Sequence, residues 1–151
     1  MAWLVIRVRG TLHARGDITD TLRFLHLTRP NHATVVAERP DVRGMLHKVQ
    51  GYITWGEVDT PTLELLLRQR GVATDGRSLG APAATGASAP ALGPLAQRAL
   101  SEGLDHVPEV RPLFRLKAPT GGWRSTKKPF RLGGALGYRG AAVNDLARKM
   151  V

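Results

Sequence analysis

The sequence predicts an α+β protein with a β-α-β-α-β core whose helices pack on one face of the sheet. Three short runs rich in β-branched and aromatic residues, at 3–10, 32–38 and 51–55, are typical of strands. Two segments with the apolar period of a helix separate these runs. Strands that alternate with helices within about 55 residues indicate a sheet covered by a helical layer.

The two helices of this core are predicted from their caps and their apolar stripes. Asp17 is expected to cap the first helix, and Asp41 is expected to open the second. Apolar residues recur on one face of each segment, and these should face the sheet. They are Ile18, Leu22 and Leu25 in the first helix, and Val42, Met45 and Val49 in the second.

Further elements are predicted after residue 57. Thr60, which precedes a proline, is expected to cap a third helix that buries leucines 63, 66 and 67. Residues 80–94 are Gly, Ala, Pro, Ser or Thr at every position but one, so a flexible surface loop is expected there. A short helix at 94–104, a strand at 113–119 and a final helix at 141–150 complete the predicted elements.

Positive charge is concentrated near the carboxyl end of the sequence. The chain has 22 Lys and Arg residues against 12 Asp and Glu, a formal net charge of +10. The balance is +4 over residues 1–56, −3 over 57–110 and +9 over 111–151. This pattern predicts a dedicated anion-binding extension, most often for nucleic acid. The absence of cysteine excludes disulfides, thiolate metal sites and a cysteine nucleophile.

The stretch APTGGWRSTKKPFRLGG, residues 118–134, carries four cations and no acid. These cations would repel one another in a compact core, so the stretch is predicted to bury little of itself and to order on contact with an external anion. Its glycines allow the backbone to approach phosphate, and its two aromatic rings can stack on unpaired RNA bases. The alternative is a solvated basic loop in which Trp123 and Phe130 fill the core. A membrane partner is not expected, because the stretch lacks an amphipathic helical period.

No pattern in the sequence predicts catalysis. The five histidines (His13, His26, His32, His47 and His106) lack the spacing of metal ligands. The segment GGWRSTKK lacks the glycine that a phosphate-binding loop requires before its lysine, and no G-x-S-x-G is present. We therefore expect no catalytic residue, metal, cofactor or small-molecule substrate, and no enzyme activity.

Two parts of the chain resemble the large-subunit ribosomal protein family L-thirty. RPNHATVV (29–36) and RGMLHKVQGYITWGE (43–57) carry several of its elements in order and at fixed spacing. RLKAPTGGWRSTKKPFRLGGALGYRG (115–140) resembles the extension of archaeal members. The resemblance implies a ferredoxin-like core at 1–71, a variable insertion at 72–110 with a flexible loop and short helix, and an extended basic arm at 111–151.

The resemblance also implies a function and a set of contacts. It implies a structural constituent of the large ribosomal subunit, located in the cytoplasm in the ribosome. The expected partners are 23S-type rRNA, 5S rRNA and neighbouring large-subunit proteins. The expected RNA-binding residues are Arg29, Asn31, His32, Arg43, Gly44, Lys48, Gly121, Gly122, Trp123, Arg124, Lys127, Lys128, Arg131 and Arg139.

Some of these residues have a second interpretation. Asn31 and His32 suit phosphate and base contacts, but Asn31 also suits a left-handed turn. Arg43 and Gly44 are expected to open the second helix and to offer its amino end to a phosphate, although Gly44 could instead allow close packing on the sheet. Trp55 is expected to pack on the sheet rather than to stack on a base. Two other functions stay open, a free basic RNA-binding regulator and an RNA-processing enzyme.

Overall fold

The computed structural model describes residues 2–10, 12–74, 76 and 92–151, which form a mixed α+β fold as the sequence predicts. One five-stranded sheet has the order β4-β2-β1-β3-β5, and only the β3–β5 pair is parallel. The strands are β1 (Ala2–Arg7), β2 (His32–Ala37), β3 (Ile53–Glu57), β4 (Phe114–Arg115) and β5 (Gly137–Tyr138). The α-helices are α1 (Gly16–Phe24), α2 (Pro40–Lys48), α3 (Thr60–Arg70), α4 (Leu92–Glu102) and α5 (Ala142–Met150), with 3₁₀ turns at Leu104–His106 and Phe130–Leu132.

Both faces of the sheet are buried. All six residues of the central strand β1 are buried. Trp3 and Val5 of this strand face a cluster formed with α1 and α2, whereas Leu4 and Ile6 face a cluster formed with α3, α4 and α5. The prediction that the two helices of the core pack on one face is therefore confirmed for α1 and α2, and the three later helices cover the other face.

The carboxyl-terminal segment belongs to this core. Strand β4 pairs with β2, strand β5 pairs with β3, and α5 buries Val143, Leu146 and Met150 as predicted. Phe114 and Leu116 are buried in the same cluster. Residues 111–117 and 135–151 of the predicted basic arm therefore pack on the core, because their apolar residues contact the sheet and α3.

The helix starts differ from the predicted caps. Asp59, not Thr60, caps α3, where its side chain accepts a hydrogen bond of 2.8 Å from the amide of Thr62. This amide is three residues past the cap, the distance at which a capping carboxylate reaches the helix. Asp17 and Asp41 lie in the first turns of α1 and α2, where their charge suits the helix dipole but neither is the cap residue.

The remaining predicted elements are present with changed limits. Residues 80–91 of the predicted loop lie outside the described residues. The last three residues of the predicted loop, 92–94, begin α4. The strand predicted at 113–119 shortens to two residues, since the chain leaves the edge of β2 after Arg115. Leu63, Leu66 and Leu67 are fully buried as predicted.

A glycine in β3 permits the closest backbone approach between the core and the carboxyl-terminal segment. A Cβ atom on Gly56 would lie 1.9 Å from the carbonyl oxygen of Gly140, so one of the two backbones would have to move. We expect Gly56→Ala to lower the free energy of unfolding by about 1–3 kcal/mol or more in denaturant titration. Gly44→Ala is the matched control, because no atom lies within 4 Å of a Cβ there. It should raise helix stability by roughly 0.5–1 kcal/mol. Equal effects at both glycines would contradict the proposed contact.

Candidate nucleic-acid interface

Five strands bring basic residues together at one end of the sheet, here called the basic end. It comprises the end of β1, the beginnings of β2, β3 and β5, and the end of β4. His32 lies opposite Arg115 in the β2–β4 pair, and Arg7 lies opposite the first residue of β3. This topology places side chains that are far apart in the sequence on one surface.

Arg7 holds the backbone of the basic end. Its side chain is buried and donates hydrogen bonds to the carbonyl oxygens of Leu27 (2.8 Å) and Arg9 (2.9 Å). Burial lowers the pKa of this guanidinium, but arginine stays charged near neutral pH. Exposed Arg9 lies over the ring of Tyr52, 5.5 Å from its centroid. Arg7 therefore has a structural role, and Arg9 presents its charge to the solvent.

Asn31 forms the turn that leads into β2. Its φ of 66° is in the left-handed region, which asparagine tolerates better than most residues. The backbone amide of Asn31 donates to the carbonyl oxygen of Arg7, and the backbone carbonyl oxygen of Asn31 accepts from the amide of Leu116. The turn interpretation is therefore correct for Asn31. The structure does not test its predicted RNA contact, which stays a prediction.

His32 stands among cations at the start of β2. Burial, and then the charges of Arg115, Arg29 and Arg7, hold the pKa of His32 below its usual range. Its ring nitrogen Nδ1 lies 3.5 Å from the hydroxyl of Thr28. The three arginines near His32 make this part of the surface positive.

This shift predicts a pH dependence of stability. An unfolded histidine takes up a proton near pH 6.5, whereas folded His32 takes one up only at lower pH. His32 therefore costs no stability above pH 6.5, and it destabilises the fold progressively as the pH falls below that value. We expect the melting temperature of the His32→Gln variant to decrease less than that of the wild type when the pH is lowered from 7 to 5. Parallel pH profiles for the two proteins would contradict the assigned environment of His32.

The chain between 118 and 136, here called the 118–136 loop, extends the basic end. Ala135 and Leu136 pack on Val8, just beyond β1, and half-buried Trp123 contacts the same cluster. The amide of Ala135 donates to the carbonyl oxygen of Ser125 at 2.9 Å. Gly121 and Gly122 both have positive φ, which allows the turn that brings Trp123 back to the core. The loop is thus anchored at its ends.

The aromatic residues of the loop divide between the two interpretations. Trp123 is half-buried against the core, as the core-filling alternative predicts. Phe130 is 39% exposed, so part of its ring is accessible to a ligand. Of the two rings, Phe130 is thus the more accessible for stacking.

The cations of the loop are exposed. Arg124, Lys127, Lys128 and Arg131 all have exposed side chains. None of them forms an ion pair with a carboxylate among the residues that the structure describes, and the same holds for Arg9, Arg29 and Arg115. These seven cations share one end of the molecule. Their charge is therefore available to an external anion.

Arg139 occupies an internal position instead. Its Nε donates to the hydroxyl of Thr54 at 2.7 Å, and one terminal nitrogen donates to the carbonyl oxygen of Ala135 at 2.8 Å. The guanidinium also lies 4.8 Å from the ring centroid of Phe130. Burial lowers the pKa of Arg139 to about 10. Its contacts support a structural role, and the RNA contact predicted for it stays untested.

The residues predicted on α2 do not join the basic end as a group. The helix begins at Pro40, so the prediction that Arg43 and Gly44 open it was wrong. Arg43 pairs with Glu38 at 3.7 Å and lies over the ring of Trp3. Gly44 is exposed with no atom within 4 Å of an added Cβ, which also excludes close packing as its reason. Lys48 pairs with Asp17 at 3.7 Å.

Sequence reasoning missed Arg115 as a candidate. Its exposed side chain faces away from the core between buried Phe114 and Leu116. The alternation of apolar and polar residues in LFRLK indicates that the Arg115 side chain faces outward. The pairing of Arg115 with His32 could not be predicted from the sequence. Trp55 is buried beneath α2 and meets the ring of His47 edge-on, as the sheet-packing interpretation predicts.

Metal centres and membrane spans are both absent from the part of the chain that the structure describes. In this part, no group of three or more His, Asp or Glu side chains is placed to hold a metal ion. No described helix is both long enough and apolar enough to cross a membrane.

Comparison with known proteins gives consistent results. Residues 3–53 match the family model described as ribosomal protein L30p/L7e. The chain is 41% identical, over 95% of its length, to the whole of the large ribosomal subunit protein uL30 of Methanopyrus kandleri. It is 39% identical to the uL30 protein of Methanococcus vannielii, with both chains covered completely. The uL30 protein of Thermoplasma acidophilum is 38% identical over 97% of this chain and 91% of that protein.

Helical layers on both faces of a mixed sheet, with exposed cations at one end of that sheet, define a basic α+β protein. The chain belongs to the ribosomal protein L30p/L7e family. The resemblance seen in the sequence, including its archaeal type, is confirmed.

Proposed function

We propose that this chain is a structural constituent of the large ribosomal subunit, which binds rRNA through the basic end and the 118–136 loop. One observation carries the proposal. The seven exposed cations of this surface lie together and form no ion pair with a carboxylate in the described part of the chain. Relatives that match over nearly the full length are named large-subunit proteins, which supports the same function.

The binding mechanism is electrostatic and geometric. Phosphates at a fold of the RNA repel one another, and cations placed between them reduce that repulsion. Arginines 29 and 115 can each donate two hydrogen bonds to a phosphate, whereas lysines 127 and 128 act as point charges. Strand β4 and the turn before β2 hold the first pair, and the 118–136 loop presents the second pair at an adjoining surface.

The finer partners belong to the same proposal. The segment that resembles the archaeal extension lies beside the β2 start, so both can contact one RNA region. We assign this region to 23S-type rRNA close to 5S rRNA, with neighbouring large-subunit proteins around it. The family resemblance is what supports these partners.

Charge reversal in the loop tests the proposal. We expect Lys127→Glu with Lys128→Glu to weaken binding to a 23S-type rRNA fragment by roughly tenfold at moderate salt, measured by filter binding. The melting temperature of the free protein should stay unchanged, because both side chains are exposed.

The control for this pair is Arg39→Glu with Arg98→Glu, which changes the net charge equally at exposed positions outside the basic end. Binding to random duplex RNA at matched salt separates a ribosomal protein from a non-specific regulator. Equal losses in both double variants, or equal affinity for both RNAs, would argue against the proposed interface.

A further inference from the structure

A cleft opens between the 118–136 loop and α5, beside the basic end. Its volume is about 320 Å³, at the lower end of the range for small-molecule sites. It is lined by Trp123, Arg124, Phe130, Arg139, Asp145 and Lys149, among others. None of the interactions described for the phosphate-binding surface explains why a concave site with aromatic walls lies here.

The aromatic walls are held in place. Trp123 is fixed by packing on Val8 and on the core beneath α5. The guanidinium of Arg139 lies over the Phe130 ring and is itself held by Thr54 and Ala135. The exposed part of this fixed ring lines the cleft and offers a stacking surface. Planar rings of unstacked RNA bases bind such surfaces.

The charges of the cleft suit a nucleotide rather than a phosphate alone. Arg124 and Lys149 are exposed at its rim and can contact the phosphates that flank a base. Asp145 is the only acid between residues 111 and 151, and it would repel a phosphate. Its Oδ1 accepts a hydrogen bond of 3.4 Å from Arg148, but each carboxylate oxygen can accept two, so both oxygens of this exposed group can accept from a ligand.

A carboxylate accepts hydrogen bonds but donates none, so it selects a base edge that carries donors. Guanine presents two adjacent donors, N1–H and the N2 amino group, on its Watson–Crick edge. Adenine and cytosine each present one amino group there, and uracil presents only its N3–H. The cleft therefore matches an unstacked guanine better than the other bases.

We propose that this cleft binds a single unstacked guanine of the RNA, stacked on Phe130 and recognised by Asp145. The inference rests on the proposed rRNA-binding function and adds a base-specific site to it. Arg124 and Lys149 contact the flanking backbone. Trp123 lines the same cleft.

Short single-stranded oligouridine RNAs with one central guanosine, adenosine or cytidine test this site. We expect the guanosine RNA to bind roughly 5- to 150-fold more tightly than the others at equal salt, the discrimination of one two-bond contact. It should also quench tryptophan fluorescence, which reports Trp123 because Trp3 and Trp55 are 4% and 6% exposed. Asp145→Asn should abolish the preference and leave binding of the plain oligouridine intact.

Asp41→Asn is the matched control, since this exposed acid lies on α2, outside the cleft, and should leave the guanosine preference unchanged. Equal binding of the three RNAs, while the 23S-type fragment still binds, would overturn the guanine site and leave the proposed function standing. A preference that survives Asp145→Asn would overturn the role of Asp145. Failure of the wild type to bind the rRNA fragment would remove the proposed function, and the guanine site with it.

Discussion

Replacing Phe114 by alanine is expected to lower the free energy of unfolding by about 3–5 kcal/mol. Phe114 has no exposed surface and is among the largest fully buried side chains of the described residues. It packs between the sheet and α3, and its backbone pairs with Ala33 of β2. Removing the ring leaves a cavity at the contact between the amino-terminal core and the basic carboxyl-terminal segment.

Denaturant unfolding of the free protein measures this effect. Phe24→Ala is the control, because Phe24 is 74% exposed on α1 and its loss should change stability by less than about 0.5 kcal/mol. Similar small losses in both variants would mean that the carboxyl-terminal segment does not belong to the folded core of the free protein. A large loss for Phe114 alone is the result that the packing described above requires.

The double variant Arg29→Glu with Arg115→Glu should cause the largest loss of RNA binding. These arginines flank His32 at the basic end, and neither forms an ion pair with a described carboxylate. Loss of two phosphate contacts, with repulsion in their place, should lower rRNA affinity by about 100-fold at low salt. The plot of log affinity against log salt concentration should also become shallower by about 2.

Binding of this variant is measured across a salt series. Arg39→Glu with Arg98→Glu serves as the control, since each of these exposed arginines has only a surface ion pair, which contributes little. An unchanged salt slope in the Arg29 and Arg115 variant would mean that these residues contact no phosphate. Melting curves establish that both variants remain folded.

The amino-terminal half of the fold could be predicted because its signals are local. The β-branched runs and the helical period of leucines 22, 63, 66 and 67 determine their elements without reference to the rest of the chain. The sequence also contains an indication that both faces of the sheet are buried. WLVI in β1 is continuously apolar, which is typical of a strand covered on both sides rather than on one.

The carboxyl-terminal half could not be predicted in the same way. Strand β5 has two residues, and it exists because Gly137 and Tyr138 lie beside Thr54 and Trp55. The hydroxyl of Thr54 donates to the carbonyl oxygen of Gly137 at 2.8 Å, across 83 residues of sequence. Such contacts leave no periodic pattern, so a glycine-rich basic stretch reads as an extended arm.

The sequence predicts that the site is basic, but it does not predict which basic residues belong to it. Arg124, Lys127, Lys128 and Arg131 follow from the charge of the 118–136 loop and are exposed as expected. Composition alone does not distinguish Arg139, which holds Thr54 and Ala135, from an exposed arginine.

Ultraviolet cross-linking of the protein to 23S-type rRNA, followed by mass spectrometry of the linked peptides, tests the central claim most directly. RNA should link to peptides of the basic end and the 118–136 loop, including those that contain His32, Trp123 or Phe130. Links confined to α3 and α4, which belong neither to the basic end nor to the 118–136 loop, would contradict the account.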